Sequence, residues 1–337
     1  MKDKFESFLK TIPEDYGSVN IITHASPDPD AVGSALGAQY LLSHMGINSS
    51  IYYSGEISHP QNRTMMNVLG ISLNKQDGST KMDGINVCVD CTESNSIASN
   101  PLLVIDHHKG SSKAKYQIID ASYGACSTIV WQLLKELTPI DQDHSNVYTA
   151  LLLGIRTDTN DLISENMTKE DFRAYQELLE LADKDALNKS MNYPLPRYLY
   201  EKRLALHLED NSFENNGVFV GGIGYIPSEQ RDVIAILAEE YTRMESVQTA
   251  VVFAITDKKM LEVSVRTHLV SLDVNMMMRD LFGQFGGGKS NSGGAQIPLN
   301  FYEQVDDKHA AAFWKITCKH MFRKILKDNW NQKEEDN

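Results

Sequence analysis

Carboxylate and imidazole side chains are concentrated in four short segments of this 337-residue chain. The segments are THASPDPD (residues 23–30), VCVDCTE (87–93), IDHH (105–108) and IRTDTND (155–161). Each follows an apolar run, as a polar segment does at the end of a buried strand, although the run before the fourth also reads as a helix that passes into a turn. Because ligands bind at strand ends in open α/β sheets, we expect the four segments to converge on one site.

Six side chains in these segments could hold metal ions, and they are His24, Asp28, Asp30, Asp90, His107 and Asp158. Carboxylates suit Mg(II) and Mn(II), and imidazoles shift the preference towards Mn(II), Fe(II), Co(II) or Zn(II). Six ligands are too many for one ion that keeps open positions. They suit two ions about 3.5–4 Å apart that share a bridging carboxylate, an arrangement found in enzymes that cleave phosphoryl groups.

Each segment taken alone has a simpler interpretation. Pro and Asp are common in turns, so residues 23–30 could be a surface turn stiffened by Pro27 and Pro29. Asp90 or Asp158 alone could cap a helix, and the acid and histidines of the third segment could be charged turn residues. The metal site is favoured because all four segments carry such residues directly after an apolar run.

The order of apolar and polar runs predicts an α/β fold. Strands that alternate with helices favour a mostly parallel, doubly wound sheet in the first part of the chain. The segment NYPLPR has two prolines, which indicate a boundary before a smaller α/β region. We expect a first domain at residues 1–187, a linker with a connecting helix at 188–214, a second domain at 215–327 and a solvated tail at 328–337.

Composition and charge exclude several classes of protein. The chain is 42% hydrophobic with a net charge of −13, so it lacks the basic footprint of proteins that bind long nucleic acids. No apolar run is long enough to cross a membrane, and the N-terminal MKDKFESFLKTIPEDYG lacks the apolar core of a signal peptide. The cysteines suggest neither a disulfide framework nor a zinc site and fit a reducing, cytoplasmic compartment. They are Cys88, Cys91, Cys126 and Cys318.

A glycine-rich segment in the second region offers backbone N–H groups to an anion. GQFGGGKS (283–290) matches the Walker A pattern, which needs a strand before it and a helix after it. Here a helix is predicted before it and poor helix formers follow, so a P-loop is disfavoured. We expect an anion cradle instead, because glycines let N–H groups approach a phosphate closely. Its residues would be Gly286, Gly287, Gly288, Lys289, Gly293 and Gly294. Arg266 is a candidate bidentate phosphate contact, although taken alone it would be interpreted as an ordinary exposed arginine of a strand.

The segments THASPDPDAVGS, VCVD, VIDHH and GIRTDT, in this order, resemble the motifs of the DHH phosphoesterase superfamily, which includes the RecJ nucleases and the family II inorganic pyrophosphatases. The second region resembles the DHH-associated domain through SVRT (264–267) and GGGK…GGA (286–295). Size and layout are most similar to the bacterial nanoRNases that also act as pAp phosphatases. The resemblance implies a DHH catalytic domain and a substrate-binding DHH-associated domain, with the active site in the cleft between them.

The resemblance also implies a role for each site residue. The six ligands would form two sets that share one bridging aspartate: His24, Asp28 and Asp90 in the first, and Asp30, Asp90, His107 and Asp158 in the second. Asp106 would orient a ligand imidazole. His108 would not bind metal and would donate a hydrogen bond or a proton near the scissile phosphate.

Two places depart from the nanoRNase pattern. Lys289 stands where those proteins usually have His, and Asn160, Asp161 and Leu162 replace the residues usually seen after the last motif. Lysine still offers a cation to phosphate, as a point charge. Because both places are expected to face the substrate, they put the substrate in question and leave the metal chemistry intact.

We therefore expect a metal-dependent phosphoesterase that hydrolyses short oligonucleotides (nanoRNA, dinucleotides) or pAp, with a metal-activated water as nucleophile. Two divalent ions are the expected cofactors, with Mn(II) favoured and Mg(II) or Co(II) as alternatives. The expected partner is a short oligonucleotide or nucleotide phosphate. Long duplex nucleic acid and membranes are not expected, and a homodimer is left open.

Other functions stay open at this point. Within the enzyme class the alternative is a cyclic or linear dinucleotide phosphodiesterase, and a pyrophosphatase is less favoured because GGGK…GGA resembles the nuclease branch. A nucleotide-binding sensor on a degenerate hydrolase fold would not need all six ligands and His108. A P-loop ATPase would depend on Lys289 rather than on Asp90.

Overall fold

The computed structural model describes residues 1–208, 210–257, 259–289, 291–299 and 307–327. It divides the chain into two compact units, Met1–Pro194 and Leu195–Asn337. The division falls within the predicted linker at 188–214. The predicted tail at 328–337 lies outside the described residues.

The first unit, which is described throughout, contains seven α-helices and six strands. In chain order they are α1 (Lys2–Leu9), β1 (Val19–Ile22), α2 (Pro29–His44), β2 (Ser49–Tyr53), α3 (Pro60–Leu69), β3 (Asn74–Lys75), β4 (Asn86–Val89), β5 (Leu103–Asp106), β6 (Tyr116–Ile119), α4 (Cys126–Leu137), α5 (Ser145–Asp158), α6 (Lys169–Leu181) and α7 (Lys184–Met191). A short 3-10 helix, Gln142–His144, precedes α5.

The strands of this unit form one parallel sheet in the order β3-β2-β1-β4-β5-β6. All four residues of β4 and of β5 are buried, as expected for central strands covered on both faces. The predicted α/β fold with a doubly wound parallel sheet is confirmed. The strand order reverses between β1 and β4, and such a reversal opens a crevice at the carboxyl ends of the strands. His24 follows β1 and Asp90 follows β4, so both lie at this crevice.

Helix α2 leads away from the crevice and begins at a site residue. Asp28 is its N-cap, and the Asp28 carboxylate accepts hydrogen bonds from the backbone N–H groups of Asp30 and Ala31. Further along α2, a Cβ atom on Gly33 would lie 2.4 Å from the Ala150 oxygen of α5. The absence of a side chain at Gly33 therefore lets α2 and α5 pack closely, which keeps the ends of both helices near the crevice.

The described residues of the second unit form four α-helices and six strands. In chain order they are α8 (Arg197–Ala205), β7 (Ser212–Asn215), β8 (Val218–Ile226), α9 (Asp232–Tyr241), β9 (Thr249–Thr256), β10 (Met260–Thr267), α10 (Val274–Phe282), β11 (Gly286–Gly288), β12 (Ser292–Pro298) and α11 (Asp307–Lys327). Short 3-10 helices lie at Ser228–Gln230 and Gly283–Phe285. The sheet order is β11-β12-β10-β9-β8-β7, and the pairs are antiparallel except for β8 with β9.

The glycine-rich segment is part of this sheet and not a loop. Gly287 pairs with Gly294 and Gly288 with Gly293 across β11 and β12. A Cβ atom on Gly288 would lie 2.3 Å from the Ser292 oxygen, so this close pairing requires glycine. Helix α10 precedes the segment and strand β12 follows it, which is the reverse of the strand–loop–helix order that a P-loop needs.

No helix in the described part of the chain combines the length and the apolar character of a membrane span.

Candidate metal centre and anion pocket

The first predicted ligand set meets at the crevice of the parallel sheet. The Nε2 atom of His24 lies 3.9 Å from Asp28 Oδ1 and 3.5 Å from Asp90 Oδ2. Ligand atoms of these three residues lie within 4.8 Å of one another, a spacing that can hold a metal ion. His24 and Asp28 come from the loop after β1, and Asp90 from the end of β4.

The second predicted set lies beside the first. The Nε2 atom of His107 is 3.0 Å from Asp158 Oδ2, 3.9 Å from Asp30 Oδ2 and 3.5 Å from Asp90 Oδ1. The two carboxylate oxygens of Asp90 thus face different imidazoles, with Oδ2 towards His24 and Oδ1 towards His107. This is the arrangement expected of a carboxylate that bridges two ions.

Asp158 reaches the site from an unexpected element. We predicted all four polar segments at strand ends, but Asp158 is the last residue of helix α5. The apolar run before it is long enough for a helix, which agrees with the second interpretation of that run. The residues after it, Asn160, Asp161 and Leu162, all have positive φ angles, so the chain leaves α5 through a left-handed turn.

The backbone of Asp90 is strained. Its φ angle is +56°, in the left-handed region that non-glycine residues rarely occupy, and its N–H donates to the Ile105 oxygen of β5. Such a conformation costs roughly 1–3 kcal/mol and is common at functional sites. The turn at Asp90 directs its carboxylate between the two imidazoles, while β5 holds the peptide in place.

Buried acids in this cluster resist ionisation. Burial raises the pKa of Asp90 to about 6, although the contact with His24 opposes the rise. Burial, together with the carboxylates of Asp90 and Asp158, raises the pKa of Asp30 well above its usual value. Several carboxylates therefore share a small volume that is short of positive charge.

The same excess of carboxylates raises the pKa values of the two imidazoles. Burial lowers the pKa of His24, but the carboxylates of Asp28 and Asp90 outweigh it and raise the pKa to about 11. Burial also lowers the pKa of His107, and Asp158 leads the carboxylates that raise it to about 10. A cation placed among these groups would reverse both trends, since it favours carboxylates and neutral imidazoles.

Backbone groups fix two of the ligands. The carboxylate of Asp30 is fully buried and accepts hydrogen bonds from the N–H groups of Cys126 (2.7 Å) and Ser127 (2.8 Å) at the N-terminus of α4. A helix N-terminus favours negative charge. The Nδ1 atom of His107 lies 3.4 Å from the Tyr123 oxygen. A carbonyl only accepts, so Nδ1 carries a proton, and Nε2 is the ring atom that can bind a metal once the ring is neutral.

An unpaired buried atom tests whether a metal fits. Among the described residues, the buried Asp90 Oδ1 has no hydrogen-bond partner, and it lies 3.5 Å from His107 Nε2, whose near neighbour is Asp158 Oδ2 at 3.0 Å. Buried polar atoms are normally paired, and an unpaired one calls for a missing partner such as an ion. Once the His107 ring is neutral, Asp90 Oδ1 and His107 Nε2 are both acceptors, so a divalent cation would satisfy them together. The donor set therefore fits divalent metal.

Asp106 contacts a different imidazole from the predicted one. Its Oδ1 atom accepts hydrogen bonds from the N–H of His108 (3.1 Å) and from His108 Nδ1 (2.9 Å). Asp106 therefore orients His108 and not the ligand His107, and that prediction is corrected. The reason is local, because the chain turns directly after β5 and places the His108 side chain against Asp106. The side chain of His108 is 48% exposed.

The predicted anion cradle lies in the second unit, where it lines a pocket of about 340 Å³. Of the predicted residues, the pocket lining includes Arg266, Gly287, Gly288, Lys289, Gly293 and Gly294. Gly286 does not line it, because it lies against α10, where a Cβ atom would meet the Met278 oxygen at 2.1 Å.

The pocket also has charged residues that the sequence interpretation missed. Arg231 lines it and pairs with Glu262 at 3.0 Å. Arg266 donates hydrogen bonds from Nη1 to the Ser264 hydroxyl (3.0 Å) and the Val265 oxygen (2.9 Å). The alternation of Glu262, Ser264 and Arg266 along β10 was the available signal, since alternate residues of a strand share one face.

Gly154 was also missed. It lies on α5, and a Cβ atom there would be 2.2 Å from the Ser127 hydroxyl oxygen and 2.8 Å from Asp30 Oδ1. A glycine at this place lets α5 pass close to the Asp30 carboxylate. The signal in the sequence was a glycine in the middle of an apolar helix, where it is otherwise unfavourable.

Comparison with known proteins places these features in a wider group. The chain matches the family model of the DHH family, N-terminal domain, over residues 18–155, and that of the DHHA1 domain over residues 220–315. It is 32% identical over 310 residues to an uncharacterized protein of Methanocaldococcus jannaschii, covering 89% of this chain and 62% of that relative.

A second relative and a solved structure agree with these matches. The chain is 27% identical over 176 residues to a probable manganese-dependent inorganic pyrophosphatase of Lactobacillus gasseri, covering 48% of this chain and 54% of that relative. It thus spans about half to three fifths of the length of these two relatives. An exopolyphosphatase-related protein of Bacteroides fragilis has the same fold, with a TM-score of 0.64, 16% identity and 97% of both chains covered.

Proposed function

This chain belongs to the DHH phosphoesterase superfamily, and from that premise we propose that it hydrolyses phosphoester bonds with two divalent metal ions. The observation that carries the proposal is the position of Asp90, whose two oxygens face His24 and His107 separately. A structural acid in a core would be paired within the protein, whereas Asp90 Oδ1 has no hydrogen-bond partner in the part of the chain that the structure describes.

The ligands divide between two ions. His24 and Asp28 would hold one ion, Asp30, His107 and Asp158 would hold the other, and Asp90 would bridge them. Two divalent ions bound there would supply Lewis acidity and lower the pKa of a bound water so that it can attack phosphorus. The manganese-dependent relative supports Mn(II) as the first ion to test, with Mg(II) and Co(II) as alternatives.

His108 is suited to proton transfer beside the metal centre. An ionised Asp106 only accepts hydrogen bonds, so Nδ1 of His108 is the donor in their 2.9 Å contact. In the protonated ring the other nitrogen, Nε2, would give its proton to the leaving oxygen or donate a hydrogen bond to a phosphoryl oxygen. The exposed half of the His108 side chain supports this role, because a substrate can reach it.

The pocket of the second unit supports a small anionic substrate. Arg231, Arg266 and Lys289 supply positive charge, and the glycine strands allow close approach of a phosphate. A volume of about 340 Å³ suits a group of nucleotide size. We therefore propose short oligonucleotides or pAp as substrates, and we do not expect long duplexes because the chain is acidic.

The cytoplasm is the proposed compartment. The four cysteines are buried and free, which agrees with a reducing environment. A homodimer stays a prediction.

The test is hydrolysis of pAp, a dinucleotide, a longer oligonucleotide and inorganic pyrophosphate with added Mn(II), by wild type and by Asp90→Ala. We expect fast cleavage of pAp or the dinucleotide and loss of that cleavage in the variant. Cleavage of pyrophosphate alone would move the function to that of the relative from Lactobacillus gasseri. If Mn(II) binds and none of the four substrates is cleaved, the proposed substrates are overturned in favour of another small phosphoester or of a nucleotide-binding sensor.

A further inference from the structure

Asp171, on helix α6, accepts more hydrogen bonds than helix capping requires. A capping box is present: Thr168 is the N-cap of α6, and its N–H (2.8 Å) and hydroxyl (2.7 Å) both donate to Asp171 Oδ2. Two further donors come from another part of the chain. They are the Gly124 N–H, at 2.9 Å from Oδ2, and the Thr128 hydroxyl, at 2.6 Å from Oδ1.

The two distant donors lie at the ends of one short segment, residues 124–128. Between them are Cys126 and Ser127, whose N–H groups hold the two oxygens of Asp30. Immediately before Gly124 is Tyr123, whose carbonyl oxygen accepts from Nδ1 of His107. A single carboxylate on α6 therefore fixes the backbone that orients two of the predicted metal ligands.

The geometry leaves this segment little freedom to move. Asp171 is fully buried, and a Cβ atom on Gly124 would lie 2.7 Å from Asp171 Oδ2 and 3.0 Å from the Asn166 oxygen. Thr128 is also fully buried. Loss of the carboxylate would leave the Gly124 N–H and the Thr128 hydroxyl without their acceptor in the core, which favours a shift of the segment.

We propose that Asp171 is a positioning residue for the metal centre, acting through residues 124–128 on Asp30 and His107. This inference rests on the proposed two-metal function. Groups that orient metal ligands affect metal affinity by about 10- to 100-fold when removed, even though they do not touch the metal.

The test compares Asp171→Asn with Thr168→Ala. Both variants disturb the cap of α6, but only the first changes the contacts to Gly124 and Thr128. We expect the Mn(II) dissociation constant, measured by electron paramagnetic resonance, to rise about 10-fold or more in Asp171→Asn and to stay within about twofold of wild type in Thr168→Ala. In the metal-free protein, amide exchange at Cys126 and Ser127 should accelerate in the first variant alone.

Thr128→Val provides a second variant in case Asp171→Asn does not fold. It has nearly the same shape and removes only the hydroxyl bond to Asp171, so a smaller loss of Mn(II) affinity in the same direction is expected. Equal affinity and equal amide exchange in wild type, Asp171→Asn and Thr128→Val would overturn the inference. A wild-type protein that binds no Mn(II) would instead overturn the proposed function, and the amide-exchange result would still decide whether Asp171 fixes the segment.

Discussion

The candidate metal centre and the anion pocket are formed by different kinds of chemical groups. In the first unit, acids and imidazoles come from the loop after β1, from α2 and α5 and from the ends of β4 and β5. Asp30, Asp90 and His107 are buried, and backbone groups fix Asp30 and His107. In the second unit, the pocket is formed by two glycine strands and by arginine side chains already paired with glutamates. The first arrangement is suited to chemistry that depends on small distances, and the second to binding. Substitutions in the first unit should therefore lower kcat, and those in the second should raise KM.

The largest effect is expected at Asp90. Asp90→Asn keeps the shape but removes the charge that faces both imidazoles, so hydrolysis should fall by about 100- to 1000-fold or more. Steady-state kinetics with Mn(II) on pAp or a dinucleotide measure this. Asp232→Asn, in the anion pocket, is the comparison and should change activity by less than about tenfold. Equal losses in the two variants would remove the distinction between the units.

A clash at Gly154 should affect both stability and metal binding. Gly154→Ala puts a methyl group against Ser127 and Asp30, and overpacking of this kind costs about 1–3 kcal/mol. Helix preference alone would favour alanine by about 1 kcal/mol, so a net loss identifies the clash. Urea unfolding and Mn(II) titration measure the two effects. Gly17→Ala, where nothing lies within 4 Å, is the control. An unchanged Mn(II) affinity in Gly154→Ala would contradict the role given to Asp30.

A smaller effect is expected from the arginine that lines the pocket. Arg266→Ala should raise KM for a short oligonucleotide by about tenfold with little change in kcat, because it removes a charged contact to phosphate. Arg243→Ala is a matched control, since Arg243 pairs with the same Glu239 as Arg266 but does not line the pocket. If kcat falls and KM stays unchanged, Arg266 takes part in the chemical step, and the distinction between a catalytic first unit and a binding second unit does not hold.

The smallest effect concerns pH. In the metal-free protein the pKa of His24 is raised to about 11 and that of His107 to about 10, so both rings carry protons at neutral pH. Metal binding needs neutral rings and must release these protons, so Mn(II) affinity should rise as the pH rises from about 6 to 8. Calorimetric titration in two buffers of different ionisation enthalpy counts the protons released. The described residues that line the pocket include no histidine, so sulfate binding there should change little over the same range. Mn(II) affinity that is independent of pH would contradict the raised pKa values.

Sequence reasoning was strongest where one residue type has one structural use. Apolar runs followed by polar segments predicted β1, β4 and β5. It was weakest where one side chain has several possible hydrogen-bond partners nearby. Asp106 could orient either His107 or His108, and only the turn after β5 decides for His108.

The missed elements have a related cause. Strand β11 is entirely glycine and strand β12 begins with Ser-Gly-Gly, and glycine has no apolar side chain to alternate, so no strand period could be read. The extra bonds to Asp171 join positions more than forty residues apart, which local patterns do not reveal. In both cases the contacts depend on strand pairing or helix packing, which the local sequence does not specify.

The spacing of the ligands along the chain has a consequence for folding. The proposed ligands run from His24 to Asp158, and three parallel strands and two helices must assemble before they meet. Parallel pairing of distant segments is slow, and partly folded chains expose strand edges while they wait for later segments. An ion that needs ligands from both ends of this span binds only a nearly complete first unit. Manganese in the refolding buffer should therefore act late, by trapping finished molecules, and should leave the early collapse of the chain unchanged.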